Sequence, residues 1–267
     1  MHRSILLLAF RSILLAGTAW AEVASPPAAA PKVPPLLAAA LEKLAQHTDR
    51  WAYTQTTIEK DTNGKTKHET VVRFDPSLPY AQQYRPLKVD GQEPGPSDLT
   101  KLRRQGEKRG ARLEREERDG PDPKRKTVGE LMDLERATVA EENAGSVTFA
   151  VPLKQEGNNR FPPEKFLVTA RVNKERGAFE NVAVKLREPM REKIVLKIKS
   201  GEGSVEFSSV DPKHPPQMTV IRGAASASIL FVPFGRAYEL KREDFKRVKP
   251  YGDRFEVKIG PLKALDF

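Results

Sequence analysis

From residue 51 the chain reads Trp51-Ala52-Tyr53-Thr54-Gln55-Thr56-Thr57-Ile58, a run rich in aromatic and β-branched residues. Such a run suits a half-buried strand, in which successive side chains point to opposite faces. Asn63-Gly64 follows, the pair best suited to a two-residue hairpin, and 65–74 is the returning strand. Alternation recurs at Val147, Phe149, Val151 and Leu153, at Phe166, Val168, Ala170 and Val172, and at Val182, Val184 and Leu186. It continues through Ile194, Leu196 and Ile198, then Val205 and Phe207, then Ala225, Ala227, Ile229 and Phe231, and ends at Phe255, Val257 and Ile259. The links read as short turns: Ala144-Gly145, 174–177 and 201–203. Short links join antiparallel neighbours, since parallel pairing needs a long crossover. The pattern predicts a mainly β (α+β) fold, a single curved antiparallel sheet of about ten strands with one apolar and one charged face. The apolar face needs a few covering helices.

Two stretches have a helical period. Over 36–46, Leu37, Leu41 and Leu44 form one stripe, which predicts a short amphipathic helix. Thr127-Val128-Gly129-Glu130 fits a capping box ahead of Leu131 and Leu134. The segment 97–126 breaks the strand pattern. Between 101 and 126 lie eleven Lys or Arg and six Asp or Glu, with Leu102 and Leu113 almost the only large apolar residues. This predicts a solvated helix or a mobile charged insertion. Its candidate basic surface is Lys101, Arg103, Arg104, Lys108, Arg109, Arg112, Lys124, Arg125 and Lys126. The stretch has no interleaved aromatics on which bases could stack, so no nucleic-acid partner is expected.

The N-terminus changes the setting. Arg3, apolar stretches at 5–10 and 13–15, and Ala19-Trp20-Ala21 predict a cleaved signal over 1–21. Neither apolar half reaches the roughly 20 residues needed to span a bilayer. Thr18 follows Leu15-Ala16-Gly17, so the cysteine that an acyl anchor requires is missing there. Residues 22–35 are a Pro/Ala-rich leader, and 36–267 form one β domain with 97–126 as its insertion. The 267-residue chain has no cysteine, so its stability must come from core burial instead of disulfides. A periplasmic location fits. In that setting a net charge of +10 points to an anionic membrane surface or an acidic partner.

The motifs of catalysis are missing. There is no Cys and no G-x-S-x-G elbow. His47, His68 and His214 are isolated, and His68-Glu69-Thr70-Val71-Val72 lacks the second histidine of a zinc helix. Asn63-Gly64-Lys65-Thr66 ends like a phosphate loop, but Glu59 stands where its first glycine belongs. A non-enzymatic protein without metal or cofactor is expected.

Trp51-Ala52-Tyr53, then Arg73-Phe74-Asp75-Pro76 with Pro79, then Leu87-Lys88-Val89-Asp90-Gly91 with Pro94, are more distinctive. Together they resemble a group of exported proteobacterial proteins that are similar to the lipoprotein-localisation (LolA/LolB-like) half-barrel superfamily. The resemblance implies an open half-barrel with helices across its concave side, and acyl chains of lipids or lipoproteins held there. On the strand pattern, the candidate lining residues are Trp51, Tyr53, Phe74, Phe149, Val151, Phe166, Val168, Val184, Leu196, Phe207, Ile229 and Phe231. The expected function is a soluble periplasmic carrier or chaperone for a lipid or lipidated protein. The alternative is an envelope interaction module with a packed core and a basic surface segment. The guest and the oligomeric state stay open.

Overall fold

The computed structural model describes residues 32–45, 50–120, 128–155, 162–192, 196–229 and 232–254. The expected signal over 1–21, the leader as far as residue 31, Lys124, Arg125, Lys126, Thr127, Ile194, Phe231 and the alternation at 255–259 lie outside the described residues.

Among the described residues, eleven strands form one antiparallel sheet. They are β1 (Trp51–Asp61), β2 (Thr66–Phe74), β3 (Tyr84–Val89), β4 (Thr138–Glu142), β5 (Ser146–Val151) and β6 (Phe166–Asn173). Next come β7 (Ala178–Leu186), β8 (Met190–Glu192), β9 (Leu196–Ser208), β10 (Gln217–Ile229) and β11 (Val232–Arg247). The order is β3-β2-β1-β11-β10-β9-β7-β6-β5-β4, and β8 pairs with β9. The sheet is a meander whose first strand has joined its last. Its open edges are β3 and β4, strands adjacent in sequence but at opposite ends of the order. Bulges interrupt six of the pairings, and bulges bend strands and raise their twist, so a sheet this wide curves into a half-barrel.

Directly opposed residues in an antiparallel pair share a face. The register therefore carries one row of side chains across the sheet: Val151, Val168, Val184, Gly203, Gly223, Tyr238, Glu59 and His68. The next row is Phe149, Ala170, Val182, Val205, Ile221, Leu240, Thr57 and Thr70. Both rows start apolar and turn polar beyond β11. The opposite face is charged. There Arg222 pairs with Glu206 and, at 3.2 Å, with Glu239, which also meets Lys241 at 3.6 Å.

Three α-helices accompany the sheet among the described residues. Helix α1 (Pro35–Ala45) lies over β7 and β6, as the 36–46 stripe predicts, and sinks Leu37 and Ala40 to 1% exposure each. They join Val147, Phe149, Val151, Val168, Val172 and Phe179 in the main core. Helix α2 (Pro96–Asp119) occupies most of the charged segment, so of the two predicted alternatives its first part takes the helix. Pro96 opens the helix, and the Asp98 carboxylate accepts the Gly95 N–H at 3.0 Å, which satisfies a free donor at its start. Helix α3 (Val128–Leu131) is a single turn where the capping-box reading placed one.

One predicted turn is corrected. Residues 201–203 lie inside the continuous strand β9, where Gly201 opposes Ala225 and Gly203 opposes Gly223. Glycine ordinarily marks a break, but here Gly203 leaves its position open and Gly223 admits a neighbouring ring. The alternation does not mark strands β3, β4, β8 and β11.

Candidate functional site

The helix-bearing face has two packed ends. At one end is the core under α1. At the other, α2 stands over β3, fixed by a polar loop. Asp75 accepts both the Ser77 N–H, at 2.9 Å, and the Ser77 hydroxyl, at 2.6 Å. Gln83, only 1% exposed, donates to the Leu78 carbonyl at 2.9 Å and accepts from the Arg109 guanidinium at 2.8 Å. Arg109 also lies 5.4 Å above the Phe74 ring. This corrects its assignment to the basic surface. Two electron-rich partners, an amide oxygen that accepts its N–H and the face of an aromatic ring, turn it inward from a helix whose other cations face water.

Aromatic rings continue from Phe74. Tyr84 lies at 4.9 Å and Tyr53 at 5.1 Å from it, and Phe245 at 5.7 Å from Tyr53 and 6.3 Å from Trp51. Arg242 caps Tyr53 at 4.5 Å and Arg247 caps Trp51 at 5.6 Å. Burial pushes the Tyr53 phenol up, against the pull of the Arg242 charge. A smaller pocket of about 220 Å³ opens here between sheet and α2, with Val72, Phe74, Leu102 and Pro86 beside the polar Gln55, His68 and Lys101.

Between these ends lies an apolar groove of about 320 Å³. Leu131, Met132 and Leu153 form one wall. Val168, Val182, Val184, Val205 and Ile221 make the floor, and Tyr238 closes the far side. Val184 and Tyr238, both in the groove, stay 37% and 47% exposed. Gly203 supplies the free space, while Gly223 is covered by Tyr238. A Cβ at Gly223 would stand 2.3 Å from the Tyr238 ring, so that ring rests against bare backbone. A Cβ at Gly203 would meet nothing closer than Val184 at 3.5 Å.

Of the predicted lining residues, Val168 and Val184 lie in this groove and Phe74 in the smaller pocket. Phe149 and Val151 belong to the core under α1, where Phe207 packs on Phe179 at 6.0 Å. Trp51 and Tyr53 belong to the aromatic array. Phe166 is half-buried at the start of β6, opposite Leu186. Leu196 and Ile229 oppose each other where β9 and β10 pair. The strand alternation does not single out Tyr238, Ile221 or Met132, and Leu131 enters only through the capping box. Tyr238 sits in a strand crowded with Arg, Glu and Lys, so its alternation is masked; the paired small residues at 203 and 223 were its available signal. Of the predicted basic residues, Lys101, Arg103, Arg104, Lys108 and Arg112 are exposed on α2.

Chemically, the groove can hold an apolar segment. Its hydrogen-bonding groups are sparse, and among the described residues no cluster of three His, Cys, Asp or Glu side chains is placed to hold a metal. No described helix is long and apolar enough to cross a membrane. Set against protein-family models, curated proteins and solved structures, the chain finds no match in any of the three comparisons.

Proposed function

We propose that the protein is an exported carrier or chaperone that shields an acyl chain, of a lipid or of a lipidated protein, in the groove between α3 and β11. The observation that carries this reading is the apolar row Val168, Val184, Gly203 and, across Gly223, Tyr238, left without bulk at Gly203, on the sheet face that bears the helices. The resemblance to the lipoprotein-localisation half-barrels and the unclosed sheet support it. Burying a methylene is worth about 0.8 kcal/mol, so a short length of chain in such a groove gives useful affinity without any polar contact. At about 320 Å³ the groove falls near the lower end of small-molecule sites, which suits one extended chain better than a whole lipid.

Titration with a fluorescent long-chain fatty acid tests the proposal, alongside native mass spectrometry for co-purified lipid. Saturable uptake is expected. Gly203→Leu puts a side chain into the bare centre where a Cβ already fits, and should weaken uptake by about tenfold or more, the equivalent of roughly two buried methylenes. No uptake by the native chain, or equal uptake by a folded Gly203→Leu protein, sinks the reading.

A further inference from the structure

We infer that the outward pole of α2 is a docking surface for anionic lipid headgroups. A helix turns 3.6 residues per turn, so residues three and four apart share a side. Lys101, Arg104, Lys108, Arg112 and Arg115 follow that spacing over about 21 Å of helix, and all five are exposed. The residues that face the sheet, Leu102, Gly106, Arg109, Gly110 and Leu113, are buried or half-buried and lie on the opposite side. Glu107 and Glu116 take the flanks, and Asp119, four residues on from Arg115, ends the stripe. Glu107 pairs with the flanking Arg103 at 3.7 Å, Glu116 with Arg112 at 3.8 Å, and Asp119 with Arg118 at 2.8 Å. Lys101, Arg104 and Lys108 make no ion pair among the described residues.

From Lys101 to Arg115 the outward pole therefore carries cations without an acidic residue among them, and it faces away from the fold. An isolated solvated helix places both signs around its girth. The stripe has no large apolar residue, so it lies on a headgroup layer without inserting, and salt weakens it. Lys101 belongs both to this stripe and to the wall of the pocket under α2, so a surface bound here is brought to the rim of the helix-bearing face. The choice of lipid over another polyanion rests on the acyl-chain reading; the cationic pole stands without it.

The full chain is sedimented with mixed phosphatidylglycerol–phosphatidylcholine vesicles and with pure phosphatidylcholine vesicles. Binding is expected to the first alone and to fade with added salt. Each basic residue near such a surface multiplies partition about fivefold, so Lys101→Ser, Arg104→Ser and Lys108→Ser together should lower it about a hundredfold. Arg103→Ser with Glu107→Ser removes one flanking ion pair without changing the net charge and should leave most of the binding. Circular dichroism checks that both variants fold. Unchanged binding by the triple variant overturns the inference, as does equal binding to neutral vesicles. Tighter binding to polyglutamate than to the anionic vesicles also overturns the lipid assignment. A chain that binds anionic vesicles in this way but takes up no fatty acid keeps the docking surface and loses the carrier.

Discussion

Two single positions show how tightly local geometry selects residues here. Gly223 exists for Tyr238. The ring lies where a Cβ would be, 2.3 Å from Cε1 and 2.6 Å from Cζ, so any side chain at 223 must evict it. Gly223→Ala is expected to cost about 1–3 kcal/mol, the usual penalty of forcing bulk into an occupied site. Adding Tyr238→Ala should recover part of that loss, because the two changes act on one contact. Urea denaturation of the single and double variants measures it. Strictly additive losses would mean that the ring and the glycine do not meet. Asp90 is the second position. With Gly91 it forms a two-residue hairpin turn, at φ values of 51° and 78°, and Asp tolerates that region better than most residues. Its carboxylate accepts the Glu69 N–H at 2.7 Å and meets His68 Nδ1 at 2.9 Å, and these bonds, the backbone one foremost, hold its carboxyl below the ordinary carboxylate range. A folded-state value below the unfolded one stabilises the fold above the ordinary range, and the effect is lost as pH falls through the depressed value. Asp90→Asn should lower the melting temperature at neutral pH and change nothing at the acid end, where both side chains are uncharged. Asn accepts the same left-handed turn, so a gap that persists in acid would trace to something other than the carboxylate.

At the scale of elements, α2 is the piece whose attachment was hidden. Its charge density reads as solvated, and on its outer pole it is. Its inner pole is secured by absence. A Cβ at Gly106 would stand 1.9 Å from the Tyr80 carbonyl oxygen, and one at Gly110 2.4 Å from the Tyr80 ring. Glycine inside a helix reads as a weakness of about 1 kcal/mol against alanine, so nothing in the sequence marks this notch as a contact. Tyr80 completes it by packing on Tyr251 at 5.4 Å. Gly106→Ala meets backbone, which cannot swing away as a side chain can. It should lift α2 from β3 and abolish slow hydrogen exchange over 96–119, while β5, β6 and β7 keep theirs. Retained protection in α2 would show that the helix is held from elsewhere. The same blindness explains the misplaced turn at 201–203, where glycines serve a flat approach between strands. It also explains β11, whose inward Arg242 hides against Tyr53 and spoils the alternation that marked β5, β6 and β7.

Across the whole molecule, the fold class was legible because periodicity of two survives wherever one face is buried, as in Val147, Phe149 and Val151. What the pattern could not show is which part of that face is covered. Alternation marks inward-facing residues, but Phe149 in the core and Val184 in the groove carry the same mark. Their environments differ, at 4% and 37% exposure, and stability should separate them. Phe149 touches α1-side partners that cannot follow it into a void, so Phe149→Ala should cost about 3–5 kcal/mol. Val184→Ala removes atoms that already face the groove, and should cost well under about 1 kcal/mol, in line with partial burial. Guanidinium unfolding of both variants gives the comparison directly. A sheet packed shut along its whole length predicts two substantial losses; an open-centred one predicts a large and a small. The small loss at 184 is the part that matters, because where the groove is open, unlike at Val168 in the core, its floor must contribute little to holding the empty protein together.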